Sequence, residues 1–161
     1  MFIYLSRWNL FVTMLTTVMG AYLVTSYSFN KNRTIQKRVL NLYWILCNNS
    51  VCFACVISTI YWTMLYRDSH GNLNNYLVHG TNSLVLFIDL FIIQHPPRMS
   101  LFIYPMACGS LYMLFTIIYT LLGGVDRDGG NFVYPILDWT KKPQSASIVG
   151  IRCVLLLGVV H

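Results

Sequence analysis

Three side chains stand out in an otherwise apolar stretch. Residues 76–94 read YLVHGTNSLVLFIDLFIIQ, and His79, Asn82 and Asp89 place an imidazole, an amide and a carboxylate among aliphatic and aromatic neighbours. On an α-helix turning about 100° per residue, Asn82 and Ser83 fall within about 60° of His79, and Asp89 about 80° away, so the four share one side. Hydrocarbon cannot satisfy such a stripe, which must face protein or a water-filled cavity. A second polar group lies near the start, at Ser6-Arg7 and Asn9. A hydroxyl is a poor nucleophile until a base takes its proton, and histidine is the usual base near neutral pH. Ser6 with His79 is therefore the pair suited to nucleophilic work. Asn82 is placed to donate to a developing oxyanion. Asp89, about 15 Å from His79 along a helix axis, is too distant to orient the imidazole and serves as a support. The same residues also suit a quieter role as interhelical hydrogen-bond partners, each worth roughly 0.6–2 kcal/mol.

Other chemistries find little purchase. The chain contains no G-x-S-x-G and no H-E-x-x-H. The five cysteines (47, 52, 55, 108 and 153) lie in or beside apolar runs, and the C-x-x-C at Cys52 and Cys55 has no second Cys or Cys/His pair at metal-ligand spacing. They read as small residues of lipid-embedded helices. Haem held between helices needs a second intramembrane histidine, whereas His70 and His95 stand in connectors and His161 ends the chain. No cofactor and no metal are expected.

The elements that must position these groups follow from composition. Of 161 residues, 56% are hydrophobic and 10% charged, against about 25% charged in an ordinary soluble domain. Mean hydropathy is +0.56. These values imply an integral, multi-pass membrane protein. The net charge of +6 does not point to nucleic acid, because the positive residues sit in short connectors, where they set topology. About 20 apolar residues span the hydrocarbon core as helix. Four runs qualify, at 8–27, 42–66, 76–94 and 99–122, and a partial fifth begins near 148 and is still apolar at 161. The expected fold is an all-α polytopic transmembrane helix bundle forming a single membrane domain over residues 1–161.

Charge sets the expected orientation. The connector SFNKNRTIQKRVL (28–40) has four positive charges and no acid, whereas 67–75 is balanced and 123–147 sets Arg127, Lys141 and Lys142 against Asp126, Asp128 and Asp138. Excess Lys and Arg mark the cytoplasmic side. Loop 28–40 and the Arg98 turn are thus expected inside, and 67–75 and 123–147 outside. Ser6, His79 and the segment Tyr134–Trp139 then gather in one leaflet. Tyr and Trp near the span ends read first as an aromatic belt. Two sequons, Asn32-Arg-Thr and Asn48-Asn-Ser, fall in the cytoplasmic loop and inside a span, and neither is expected to carry glycan.

Several segments resemble the rolling stone-like family of multi-pass membrane proteins: YLSRWN (4–9), YWTMLY (61–66), HGTNSLVLFID (79–89), the YP at 104–105, FTIIYTLLGG (115–124) and YPILDW (134–139). That family is distantly similar to the androgen-induced membrane hydrolases, which cleave fatty acid esters of hydroxy fatty acids with a membrane-embedded Thr and His. The resemblance implies Ser6 at the nucleophile position, His79 at the histidine position and Asp89 at the carboxylate ten residues on. Arg7 stands where Asn is usual. The resemblance also implies six spans, so the chain is expected to be truncated at both ends. The implied partners are membrane lipids, a lipid-ester substrate and a further membrane protein. Beside hydrolysis it implies a rival role without catalysis, in cell–cell contact or fusion of the kind seen in myoblasts.

Overall fold

The computed structural model describes residues 3–29, 36–65, 73, 77–93, 99–126 and 129–160. The charged connector around Lys31 and Arg33, most of 67–75, the Pro96-Pro97 turn, Arg127 and Asp128 lie outside them, and with them most of the charge on which the expected orientation rests.

Among the described residues all regular structure is helical. Helix α1 runs Leu5–Phe29 and α2 runs Lys37–Ile60, continuing as a π-helical turn over Tyr61–Leu65. A second π turn, Leu77–Thr81, leads into α3, Asn82–Ile93. A 3-10 turn at Met99–Phe102 opens α4, Ile103–Leu121, and α5 runs Pro143–Val160. Helices α1, α2, α4 and α5 are each long and apolar enough to cross a membrane. The polytopic helical bundle expected from composition is the observed architecture, but its membership differs: Pro143–Val160, expected as a partial fifth span, is long and apolar enough to cross, whereas the described part of the 76–94 run is not among the four helices that are. Boundaries differ at both ends. Helix α1 starts three residues before the apolar run, which brings Ser6 into its first turn. Helix α5 starts five residues before position 148. Pro143 tolerates the first helical position, where its missing N–H has no partner to lose, and the polar residues around Ser145 hide that turn from an apolar-run reading.

Local chemistry explains the other ends. Pro105 falls in the first turn of α4, where backbone N–H groups lack intrahelical acceptors. The same helix stops in a Schellman motif: Gly123 takes φ 77°, its N–H reaches Thr120 O at 3.1 Å, and Gly124 N–H reaches Tyr119 O at 2.9 Å.

Helix α2 is the axis of the bundle and contacts α1, α3, α4 and α5. Half of its apolar window, 50%, is buried, against 11% for α1, whose outer face is left to lipid. Cys52, Phe53 and Val56 of α2 pack with Leu157 of α5, and Val51 and Ala54 pack with Leu86 of α3. Small residues allow close approach between helices. A Cβ at Gly109 of α4 would come 2.5 Å from Leu157 Cδ1, and one at Gly158 of α5 would come 3.2 Å from Met106 Sδ.

Candidate functional site

The end of the bundle where α1 and α3 begin and α2 finishes encloses a cavity of about 350 Å³. Its wall includes Ser6 from the first turn of α1 and His79 from the π turn before α3. Two residues far apart in sequence thus reach one space, in the arrangement the topology allowed. The rest of the lining is mostly apolar, with Phe53, Val56, Ile57 and Leu157 among it.

His79 is held through its ring and its backbone. The imidazole stacks on Tyr61, with ring centroids 4.0 Å apart and planes 12° from parallel. Its carbonyl accepts from Ser58 Oγ at 2.6 Å and from Ser83 Oγ at 3.2 Å. Both partners in the stack lie in π turns, which are frequent at functional sites because the wider turn re-aims side chains. His79 Nδ1 is buried with no hydrogen-bond partner among the described residues.

Asn82 and Asp89 are not among the residues lining this cavity. The π turn at 77–81 accounts for the separation. It breaks the 100° spacing between His79 and the α-helical residues after it, so the stripe drawn on an ideal helix divides. Asp89 lies instead near enough to Tyr43 and Cys47 of α2 for its charge to act on both.

Sequence places the aromatics of YPILDW in an interfacial belt; in the structure the segment is a strap across the cavity. Tyr134 is extended (φ −133°, ψ 144°), the conformation imposed on a residue that precedes proline. Its hydroxyl accepts from Leu5 N–H at 3.2 Å and lies near Ser6 and the Tyr112 hydroxyl, which both act on it electrostatically. Burial raises the Tyr134 phenol above its ordinary value, so it stays protonated at neutral pH. Pro135–Leu137 make a 3-10 turn that contributes Ile136 and Leu137 to the wall. Asp138 then accepts from Thr140 N–H at 3.1 Å, Thr140 Oγ1 at 2.8 Å and Lys141 N–H at 2.9 Å. These bonds hold its carboxyl below the usual carboxylate range. Trp139 Nε1 donates to Thr116 Oγ1 of α4 at 3.2 Å and anchors the strap. The upstream part of the loop is tied as well, by Tyr4 donating its hydroxyl to Asp126.

Two tyrosines that periodicity did not single out complete the wall. Tyr112, 1% exposed, donates to Ile3 O at 2.8 Å, and its ring meets Trp8 edge-on with centroids 5.7 Å apart. Tyr61 carries the His79 stack. A signal for Tyr112 existed, since a phenol in mid-span needs a partner, but which partner depends on the fold.

Four apolar crossing helices around a cavity with polar groups at one end define an integral, multi-pass helical membrane protein. Within that class the chain belongs to the rolling stone family: the family described as Protein rolling stone matches residues 1–160. Protein rolling stone of Drosophila melanogaster is 33% identical over 175 aligned positions, which cover 97% of this chain and 62% of that relative. The chain thus spans somewhat less than two thirds of the length of that curated relative. No solved structure matches it.

Proposed function

We propose that this chain carries an intramembrane hydrolase site for lipid esters, with Ser6 as nucleophile and His79 as base. The observation that carries this reading is the presence of both residues in the wall of one largely apolar cavity. An acyl chain suits the apolar lining, and its ester group suits the polar end. Ser6 Oγ attacks the ester carbonyl carbon while its proton passes to a ring nitrogen of His79, and the carbonyl electron pair moves to oxygen. Collapse of that intermediate breaks the bond to the leaving alkoxide, which takes the proton from His79. Water then attacks the acyl-serine with the same histidine as base, releasing the fatty acid and restoring Ser6. The flat stack on Tyr61 fixes the plane of the imidazole for both transfers.

Asn82 stands as a support of this end of the bundle, and Asp89 as a partner for α2. The experiment is labelling of the full chain in lipid nanodiscs with an alkyl fluorophosphonate. Labelling mapped to Ser6 and lost in Ser6→Ala is the expected result. Absence of labelling in the wild-type chain overturns the hydrolase reading and favours a role in cell contact or fusion.

A further inference from the structure

We propose that Tyr134 is the positioning residue of this site, fixing Ser6 for attack from a loop 128 positions downstream. The inference rests on Ser6 acting as nucleophile, as argued above. It begins with the backbone at the start of α1. The first N–H groups of a helix have no intrahelical acceptor. Here Arg7 N–H and Trp8 N–H turn back to Tyr4 O, at 3.0 and 3.4 Å. Leu5 N–H finds the Tyr134 hydroxyl at 3.2 Å instead, and Ser6, the next residue along, is close enough to that hydroxyl to act on it electrostatically. A phenol from a distant loop therefore caps the turn that holds the nucleophile, where a side chain from the helix's own N-terminus would ordinarily serve.

The phenol is itself tightly placed. Pro135 holds the Tyr134 backbone extended, and the Tyr134 ring meets Tyr4 with centroids 5.7 Å apart. The Tyr112 hydroxyl, near Tyr134, is pinned to Ile3 O at 2.8 Å. Two phenols thus grip the chain on either side of Tyr4, one at the Ile3 carbonyl and one at the Leu5 amide. The strap that delivers Tyr134 is anchored beyond it by Trp139 on Thr116. Tyr134 neither gains nor loses a proton over the cycle; its hydroxyl holds the Leu5 amide, and with it the turn that carries Ser6, in place while the Ser6 proton passes to His79. Displacing a nucleophile by about 1 Å costs on the order of a hundredfold in rate.

The test compares wild type and Tyr134→Phe as full chains in nanodiscs, reading the rate of fluorophosphonate labelling at Ser6 against probe concentration. The expected outcome is a maximal labelling rate lower by about tenfold to a hundredfold, with the half-saturating probe concentration within about twofold of wild type and an unchanged melting temperature. A purely structural role would move melting together with labelling. Where Tyr134→Phe melts early, 3,5-difluorotyrosine at position 134 keeps the shape and makes the phenol more acidic. A pH profile of labelling displaced to lower pH then supports the proposal, and an unmoved profile overturns it. A Tyr134→Phe chain that folds and labels at the wild-type rate also overturns it. A wild-type chain that does not label at Ser6 fails at the earlier step and removes both readings.

Discussion

Helix α2 carries two groups of polar residues, and their partners differ in kind. In mid-helix Asn48, Asn49 and Ser50 each reach another helix: Ser50 Oγ meets Thr16 Oγ1 of α1 at 3.2 Å, Asn48 Nδ2 donates to Leu101 O at 3.4 Å, and Asn49 Nδ2 meets Cys108 Sγ of α4 at 3.7 Å. Two turns later Ser58 and Tyr61 hold His79, one by its carbonyl and one by its ring face, and leave its Nδ1 unpartnered. Each group strands an atom, since Asn49 Oδ1 is also buried without a partner. Tyr61 and His79 line the cavity described above, and Asn48, Asn49 and Ser50 are not among its lining residues. A polar residue in an apolar span is therefore glue where its partners close around it, and a candidate site where they fix its orientation at the wall of a cavity.

The largest expected effect separates the two groups. His79→Asn should lower fluorophosphonate labelling by about 10²–10⁴-fold, the usual contribution of a general base, with little change in melting temperature. An early-melting His79→Asn chain, with labelling per folded molecule intact, would move His79 to the glue side of the comparison.

Next comes a substitution that bridges structure and site. In Gly109→Ala the new Cβ would stand 2.5 Å from Leu157 Cδ1. Leu157 is 2% exposed and lines the cavity, so its side chain has to move into that space. Overpacking of this kind costs about 1–3 kcal/mol. Melting and labelling should both fall, and Gly109→Ala with Leu157→Val should recover part of each.

How much of this was legible in the sequence follows from what each inference needed. Three of the four crossing helices were, because runs such as 8–27 and 99–122 are long enough to cross and bounded by Gly, Pro or charge, whereas the polar first turn of Pro143–Val160 makes that helix read as a partial span. The pairing of Ser6 with His79 was open from topology, since two spans running the same way begin in one leaflet. The separation of Asn82 from His79 was not. It depends on a π turn, and no periodicity rule at 3.6 residues announces one. Tyr134 was hidden for another reason: near a membrane surface an aromatic has a sufficient explanation in the interface, and only tertiary structure shows that its hydroxyl caps α1.

A smaller effect tests the mid-helix group. Thr16 Oγ1 also contacts Val12 O at 2.8 Å, as a donor to that carbonyl, so Ser50 supplies the proton between the two hydroxyls. Ser50→Ala then removes one interhelical bond without stranding a Thr16 hydrogen. The expected loss is about 0.6 kcal/mol, with about 1.7 kcal/mol as the upper range for such bonds. Double-mutant comparison with Thr16→Val measures the coupling, and labelling at Ser6 should not change. A labelling loss in Ser50→Ala would show that the two groups on α2 act as one.

The smallest effect concerns the strap. Asp138 accepts three hydrogen bonds from Thr140 and Lys141, the strongest influence being the Lys141 N–H, and its carboxyl is held below the ordinary range. A depressed folded value means that the carboxylate favours the folded chain above the unfolded carboxylate range, near pH 4. That contribution fades as pH falls through the depressed value. Asp138→Asn removes the charge, so the drop in melting temperature between about pH 6 and about pH 3 should be slightly smaller in the variant than in wild type. The group is solvent-exposed, which keeps the effect small. Its position gives it meaning beyond stability, because Asp138 lies between Leu137 of the cavity wall and Trp139 on Thr116. If the strap positions Ser6, Asp138→Asn should also slow labelling relative to wild type more at neutral pH, where the wild-type carboxylate is charged, than at acid pH, where it is protonated. An identical labelling profile in the two chains, measured where both are folded, would show that the turn holds itself together and transmits nothing to Tyr134.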